Sequence, residues 1–384
     1  MVALGELVEF KGGGTPSKAI DAYWGGDIPW ASVKDFKSTE LSETVDSITI
    51  EGLKNSASNL IPAGNLIVPT RMALGKVAIN TVDIAINQDL RALIVKDEKT
   101  LDKRYLLRFL ESKAGFLESE GKGATVKGIT QDVLRNLDVP LPPLPEQKRI
   151  AAILDKADSL RRKNQQAIQL ADKFLRAVFL DMFGDPVTNP KGWAEYVLKE
   201  IAEIRSGVTK GKKVDPSTAV TLPYMRVANV QDGYLNLSDI QKITVSSIDA
   251  KKCRLLKGDI LLTEGGDPDK LGRGYVWQGE IENCIHQNHI FSVRIHDDNK
   301  VNPLFLSAVI GSQRGKRYFL KVGKQTTGIA TINKTVLSEF VTFLPPYQLQ
   351  LKYVDVVKKT HAVKLRYETA NTGLFESLSQ KAFA

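Results

Sequence analysis

The sequence predicts an α+β fold built twice: two tandem globular units of mixed α/β structure, separated by two long antiparallel coiled-coil helices, with a pseudo-two-fold internal repeat. Three observations predict it. The chain matches itself at an offset of 194 residues, about half its length of 384. Short β-rich runs alternate with Gly and Pro turn signals in each half. Each half then ends in a long segment whose apolar residues recur at steps of three and four.

An internal repeat organises the whole chain. Leu4-Gly-Glu-Leu-Val-Glu-Phe-Lys-Gly-Gly-Gly-Thr matches Leu198-Lys-Glu-Ile-Ala-Glu-Ile-Arg-Ser-Gly-Val-Thr, Ile28-Pro-Trp matches Leu222-Pro-Tyr, and Ala63-Gly-Asn-Leu-Ile matches Lys257-Gly-Asp-Ile-Leu. The offset then grows, as loop insertions would cause. Ile86-Asn-Gln-Asp falls against Ile285-His-Gln-Asn, and Leu141-Pro-Pro against Leu344-Pro-Pro.

Strands are expected at Leu66–Pro69, Val77–Asn80, Ala92–Val95 and Gly258–Thr263, with helices over Lys103–Ser119 and Pro303–Tyr318. From Pro145 to Phe183 the apolar positions include Ile150, Ile153, Leu154, Ala157, Leu160, Ala167, Ile168, Ala171, Phe174, Leu175, Val178 and Met182. That spacing is a coiled-coil seam sustained for more than four heptads. Proline opens the segment and Gly184-Asp-Pro186 closes it. At 1.5 Å per residue it would span roughly 58 Å. Leu351, Val354, Val357, His361, Leu365, Ala370, Leu374 and Leu378 repeat the pattern near the C-terminus. The expected domains are therefore 1–144, 145–184, 190–344 and 345–384, with the two helices paired antiparallel as a spacer.

Composition narrows the function classes. Apolar residues make up 42% and charged residues 25%, ordinary for a globular protein. No run approaches the roughly 18 apolar residues of a membrane span, and the N-terminal segment lacks a signal-peptide pattern. Cys253 and Cys284 cannot make a disulfide framework and suit a reducing cytoplasm. The net charge of +9 is uneven: residues 1–144 carry 17 basic and 19 acidic side chains, whereas residues 190–344 carry 22 and 16. Basic charge permits nucleic-acid binding without establishing it.

The segment Leu141-Pro-Pro-Leu-Pro-Glu-Gln-Lys-Arg-Ile-Ala-Ala-Ile-Leu-Asp, continuing to Phe179-Leu-Asp-Met-Phe-Gly, resembles the central helical region of the DNA-specificity subunit of type I restriction-modification systems. Gly13-Gly-Thr-Pro-Ser-Lys18 followed by Ile28-Pro-Trp-Ala-Ser is similar to the opening of that family's target-recognition domains. The second helix departs from the signature, with Pro346-Tyr-Gln-Leu-Gln-Leu in place of Pro143-Leu-Pro-Glu-Gln-Lys. The resemblance implies a non-catalytic subunit whose two recognition domains each read half of a bipartite, asymmetric site in double-stranded DNA. Its partners would be two adenine-N6 methyltransferase subunits and the restriction/translocase subunits, with no cofactor and no membrane. Exposed helix residues such as Lys148, Arg149, Arg161 and Arg162, with Phe179 as an outward apolar anchor, are the expected docking side chains.

No catalytic constellation emerges from the residues themselves. Leu344-Pro-Pro-Tyr347 lacks the Asn or Asp that an amino-methyltransferase needs to accept from its target amino group, and Leu141-Pro-Pro-Leu144 lacks even the aromatic ring. Gly12-Gly-Gly-Thr-Pro-Ser-Lys18 is not a Walker loop. Cys284-Ile-His286-Gln-Asn-His289 offers metal-ligand types, but on a strand position 289 faces away from 284 and 286, so no metal is expected. The competing readings are a coiled-coil adaptor that does not read DNA and a self-contained methyltransferase or nuclease.

DNA-contact candidates follow from residue chemistry. Lys11, Thr15, Ser17 and Lys18 lie in a glycine-rich loop suited to close phosphate approach, and Lys210, Lys212 and Lys213 occupy the equivalent loop. Lys122 and Lys127 lie in Gly121–Lys127, and Lys324 in Gly323–Gly328. Arg71, Lys76, Gln88 and Arg91 are the base-edge candidates of the first half. Arg226, Asn229, Arg273 and Gln287 are their counterparts, since Arg and Lys suit guanine and Asn and Gln suit adenine.

Overall fold

A computed structural model describes residues 1–123, 125–266, 271–326, 329–371 and 374–383. The chain divides into two compact units, Met1–Gln166 with Tyr367–Ala384, and Ala167–Arg366. Each unit therefore contains one globular domain, the beginning of one long helix and the end of the other.

In the first unit a five-stranded sheet runs Val8–Gly12, Leu90–Val95, Leu66–Pro69, Ala78–Asn80, Glu40–Leu41. A four-stranded sheet runs Asp46–Ile48, Trp24–Ala31, Ile84–Ile86, Asn59–Ile61. Leu66, Ile67 and Leu93 are fully buried, as the near-continuous apolar runs predicted. The second unit repeats the plan with Ala202–Ser206, Ile290–Ile295, Ile260–Thr263 and Gly274–Val276 in one sheet. Gln241–Ser246, Ala219–Met225 and Ile285–His286 form another.

The helices expected over Lys103–Ser119 and Pro303–Tyr318 are each broken once. They form as Lys103–Ser112 with Ala114–Ser119, and Pro303–Gly311 with Gln313–Val322. Both leading helices have side-chain N-caps: the Asp102 carboxylate accepts from Tyr105 N at 2.9 Å, and the Asn302 amide oxygen from Leu304 N at 3.0 Å.

The first long helix runs Leu144–Phe183 without a break, and the C-terminal segment forms Tyr347–Asn371 and Leu374–Phe383. Gly184 ends the first long helix at φ +80°, the left-handed conformation that glycine adopts without strain. Lys191 Nζ donates to the Asp181 and Met182 carbonyls, and Trp193 Nε1 to that of Phe183, so the last turn is satisfied by side chains beyond it.

The helix ends anchor into the domain cores. Phe183 meets Phe305 at 4.9 Å and Tyr353 at 5.5 Å between ring centroids. In the first unit Phe383 meets Tyr105 at 5.4 Å and Phe109 at 5.6 Å. Burying each ring contributes roughly 2–3 kcal/mol. Phe179, expected to face outward, instead packs among Phe183, Phe305, Phe343 and Tyr353. The 3.6-residue turn places it on the same stripe as Phe183, toward the domain core. Within the first unit Arg161 lies over the Phe375 ring, and within the second Lys364 Nζ pairs with Asp172 at 2.6 Å.

Candidate nucleic-acid interface

Four segments of the first unit converge around one close backbone crossing. Gly13 passes the end of strand Ile84–Ile86 so closely that a Cβ there would sit 2.0 Å from the Ile86 carbonyl oxygen. Gly14 N donates to that oxygen at 3.0 Å. Glycine at position 13 is thus required by the crossing itself, before any phosphate is considered. On this scaffold the Thr15 hydroxyl donates to the Gln88 side-chain oxygen. The Arg91 guanidinium donates to the carbonyls of Gln88 at 2.9 Å and Leu90 at 2.7 Å. Arg71 pairs with Asp89 at 3.5 Å, and the backbone of Gly128 bridges to both Arg71 and Lys122. Met72 N donates to the Lys127 carbonyl at 3.0 Å.

Thr15, Gln88, Arg91, Arg71, Lys122 and Lys127 are therefore brought together. Lys18, Arg71, Lys122 and Lys127 are exposed, and Lys11 is half-buried on strand Val8–Gly12. Ser17 is exposed and uses its carbonyl to hold the Trp24 indole at 3.1 Å. Lys76 is elsewhere: its Nζ donates to the Phe36 carbonyl at 3.0 Å, on the wall of a cavity of about 900 Å³ shared with Glu111, Asp158 and Arg161.

The second unit repeats the crossing. A Cβ on Gly207 would lie 2.0 Å from the His286 oxygen, which accepts from Val208 N at 2.8 Å. Gln287 N donates to the Met225 carbonyl just as Asn87 N donates to that of Ala31. These bonds set the register: His286 stands where Ile86 stands, Gln287 where Asn87 does, and Asn288 where Gln88 does. The sequence match of Ile86 to Ile285 is one residue out, and in a strand such a slip moves every side chain to the opposite face. Glu264 takes the place of Thr70 and His289 that of Asp89, as Glu264 N donates to the His289 carbonyl at 3.0 Å.

Lys210 and Lys213 are exposed, while Lys212 pairs with Asp249 at 3.1 Å. Gln287 and Arg273 are half-buried. Arg226 pairs with Asp239 at 2.6 Å. Asn229 is buried and serves its own turn, accepting from Arg226 N at 2.8 Å and donating to the carbonyls of Asn236 and Asp239. In the first unit Asp35 caps Ser32 in the same way, so Arg226 and Asn229 correspond to Ser32 and Asp35. The Lys324 backbone lies in strand Lys324–Thr326; its side chain, and Thr327 and Gly328 of the same loop, lie outside the described residues.

The ligand-type residues near 284 each have a local use. Cys284 is buried. His286 is fully buried and its Nδ1–H donates to the Cys253 carbonyl at 3.1 Å; burial pushes its pKa down to about 4. His289 is exposed and bonds Glu264 through Nδ1 at 2.6 Å. Sequence reasoning missed Asp89, Glu264 and His289. The polar pairing across the strand-end turn was the available signal, hidden by the one-residue slip.

The family model for the type I restriction modification DNA specificity domain matches the chain twice, over residues 1–170 and 190–371. The MjaIX specificity subunit of a type I restriction enzyme from Methanocaldococcus jannaschii is 28% identical over 246 residues, 59% of this chain and 57% of that protein. The EcoR124I/EcoR124II specificity subunit of Escherichia coli is 37% identical over 164 residues, 41% of this chain and 40% of that protein. The matched region thus spans well under two thirds of either relative. The EcoBI specificity subunit of Escherichia coli is 24% identical over 369 residues, covering 85% of this chain and 76% of that one. The crystal structure of a type I restriction-modification S subunit from M. genitalium superposes with a TM-score of 0.59 at 15% identity, over 100% of this chain and 95% of that one. At that identity the likeness is one of fold.

Proposed function

We propose, from the premise that this chain belongs to the type I restriction-modification DNA-specificity family, that it is the sequence-reading subunit of a restriction-modification complex. The observation that carries this is the duplicated loop cluster. Each unit brings a glycine crossing, a strand-end turn and a late hairpin to one place, held by the same backbone bonds, yet the side chains presented there differ. A shared scaffold with diverged side chains is what two readers of different half-sites require.

In this reading Lys11, Lys18, Lys122 and Lys127 of the first unit neutralise phosphates, with Thr15 and Ser17 nearby. Lys210, Lys212, Lys213 and Lys324 do so in the second. Arg71, Gln88 and Arg91 reach base edges in the first half-site, and Arg226, Arg273 and Gln287 in the second. Lys76 and Asn229 serve their own loops. The long helices fix the number of unread base pairs between half-sites and carry two adenine-N6 methyltransferase subunits, which restriction/translocase subunits join. Methylation and cleavage belong to those partners; this chain performs no chemistry.

Mapping methylated adenines in the host genome tests the proposal, the expected result being an asymmetric bipartite motif that disappears when this chain is deleted. A motif unaffected by deletion would favour a structural adaptor. Methyl transfer from labelled S-adenosylmethionine by the isolated chain would favour a self-contained enzyme.

A further inference from the structure

The two units differ in charge sign on one matched turn, at adjacent positions that both pair with the residue facing them across it. In the first, the turn after strand Leu66–Pro69 presents the Arg71 guanidinium, which pairs with Asp89 across the turn. In the second, the matched turn presents the Glu264 carboxylate, which accepts from His289 Nδ1–H at 2.6 Å. The match rests on backbone bonds: Thr70 N to Asp89 O at 2.8 Å answers Glu264 N to His289 O at 3.0 Å. Likewise Ile129 N to Thr70 O at 2.9 Å answers Ile332 N to Glu264 O at 2.8 Å.

We infer that Glu264, oriented by His289, is a specificity-determining residue that accepts a hydrogen bond from the exocyclic amino group of a cytosine in the second half-site. The inference rests on the DNA-reading function proposed above. A carboxylate on the turn whose Asn288 N donates to the Val208 carbonyl at 2.9 Å, at the start of the loop that carries Lys210–Lys213, is repelled by phosphates, so it weakens sequence-independent binding. It gains only where a donor meets it, and cytosine N4 is the major-groove donor that a carboxylate matches. Both side chains remain accessible, Glu264 at 29% and His289 at 55%. An exposed pair of this kind adds little to stability, so the fold alone does not call for it. Arg71, on the first unit's turn one residue beyond Thr70, which answers Glu264, has the opposite preference, for guanine O6 and N7. One constellation thus accounts for two units on the same scaffold reading different bases.

The experiment uses the full chain co-expressed with its methyltransferase partners and a set of duplexes carrying every single-base change in both half-sites. Glu264→Gln keeps the size and the bond to His289 but removes the charge. Discrimination at one C·G position of the second half-site should fall about tenfold or more, with the first half-site unchanged. His289→Gln, which releases the carboxylate from the opposite side of the turn, should relax the same position, and it decides the matter if Glu264→Gln does not assemble. Equal affinity changes for all duplexes, or unaltered discrimination at every position, overturn the assignment while leaving the DNA-reading function standing. A wild-type complex without selectivity at either half-site would overturn both.

Discussion

Gln147 and Gln350 make the same three hydrogen bonds in the two units. Gln147 Oε1 accepts from Asp102 N at 2.9 Å, and its Nε2 donates to the Thr100 and Pro142 carbonyls, both at 2.8 Å. Gln350 Oε1 accepts from Asn302 N at 2.9 Å, and its Nε2 donates to the Lys300 and Pro345 carbonyls at 3.0 and 2.9 Å. Both side chains are fully buried. Each therefore ties the first turn of a long helix to the N-cap of the helix it packs against. The second helix, which departs from the signature at most of these positions, keeps Gln350 at the place of Gln147, where one amide satisfies all three backbone groups.

Gln147→Leu should strand one backbone donor and two carbonyls in a dry site, at a cost of about 3 kcal/mol to the first unit. Gln350→Leu should cost the second unit a similar amount. Urea titration followed by hydrogen exchange, which resolves the two units, checks both. A loss below about 1 kcal/mol would mean that water reaches these groups.

Arg108 carries a guanidinium only 2% exposed. It bonds Glu111 at 2.6 Å and Asp155 at 2.7 Å and lies 3.4 Å from Asp158, which is equally buried. Arg108→Ala leaves these carboxylates inside with fewer cations and should cost about 3 kcal/mol. Arg104 also reaches Asp155, at 3.2 Å, but is 56% exposed, so Arg104→Ala should cost under about 1 kcal/mol. Equal losses from the two variants would show that burial is not what gives Arg108 its weight.

Histidine gives the two units different acid responses. All four histidines, 286, 289, 296 and 361, lie in the second unit. An unfolded imidazole takes up its proton near pH 6.5, whereas His286 resists protonation until about 4. The unfolded chain therefore binds more protons between those values, and the stability that neutral His286 contributes is complete above pH 6.5 and lost as pH falls toward 4. Burial pushes His361 in the same direction, and it hydrogen-bonds the Tyr275 hydroxyl at 2.7 Å. The second unit should lose up to roughly 3 kcal/mol over that range through His286 alone. His286→Asn, which keeps a donor toward the Cys253 carbonyl, should flatten the dependence. A second unit whose unfolding midpoint ignores pH from 7 to 4.5 would refute this.

The fold was legible because duplication supplied its own control: Leu66–Pro69 emerges as expected, and the strand expected at Ala92–Val95 forms as Leu90–Val95. The long helix was legible from periodicity and its glycine stop. Periodicity did not say which apolar face meets a domain, so Phe179 was read outward although it packs with Phe183 and Phe305. The site was legible only as loops. Identity between Ile86 and Ile285 outweighed the backbone crossing at Gly207, which is invisible in sequence, and the resulting slip hid Glu264 and His289. Asn229 illustrates the other limit, since an amide that caps its own turn has the same letter as one that reads adenine.

The charge of the first unit makes its phosphate contacts directly measurable. With 17 basic against 19 acidic residues in 1–144, this domain has no general attraction to DNA, so binding must come from local lysines. Lys18, Lys122 and Lys127 are exposed around the glycine crossing, and no ion pair is formed by them among the described residues. Each phosphate contact removed lowers the slope of log affinity against log salt by about 0.9. The combined Lys18→Ala, Lys122→Ala, Lys127→Ala variant should therefore lose about 2 to 3 from that slope. It should weaken binding to all sequences alike, because phosphates carry no base identity. Fluorescence titration of this chain assembled with the proposed methyltransferase subunits, on specific and scrambled duplexes between 50 and 200 mM salt, reads both quantities. An unchanged slope would remove these loops from the interface, while a loss confined to the specific duplex would reassign the lysines to base edges.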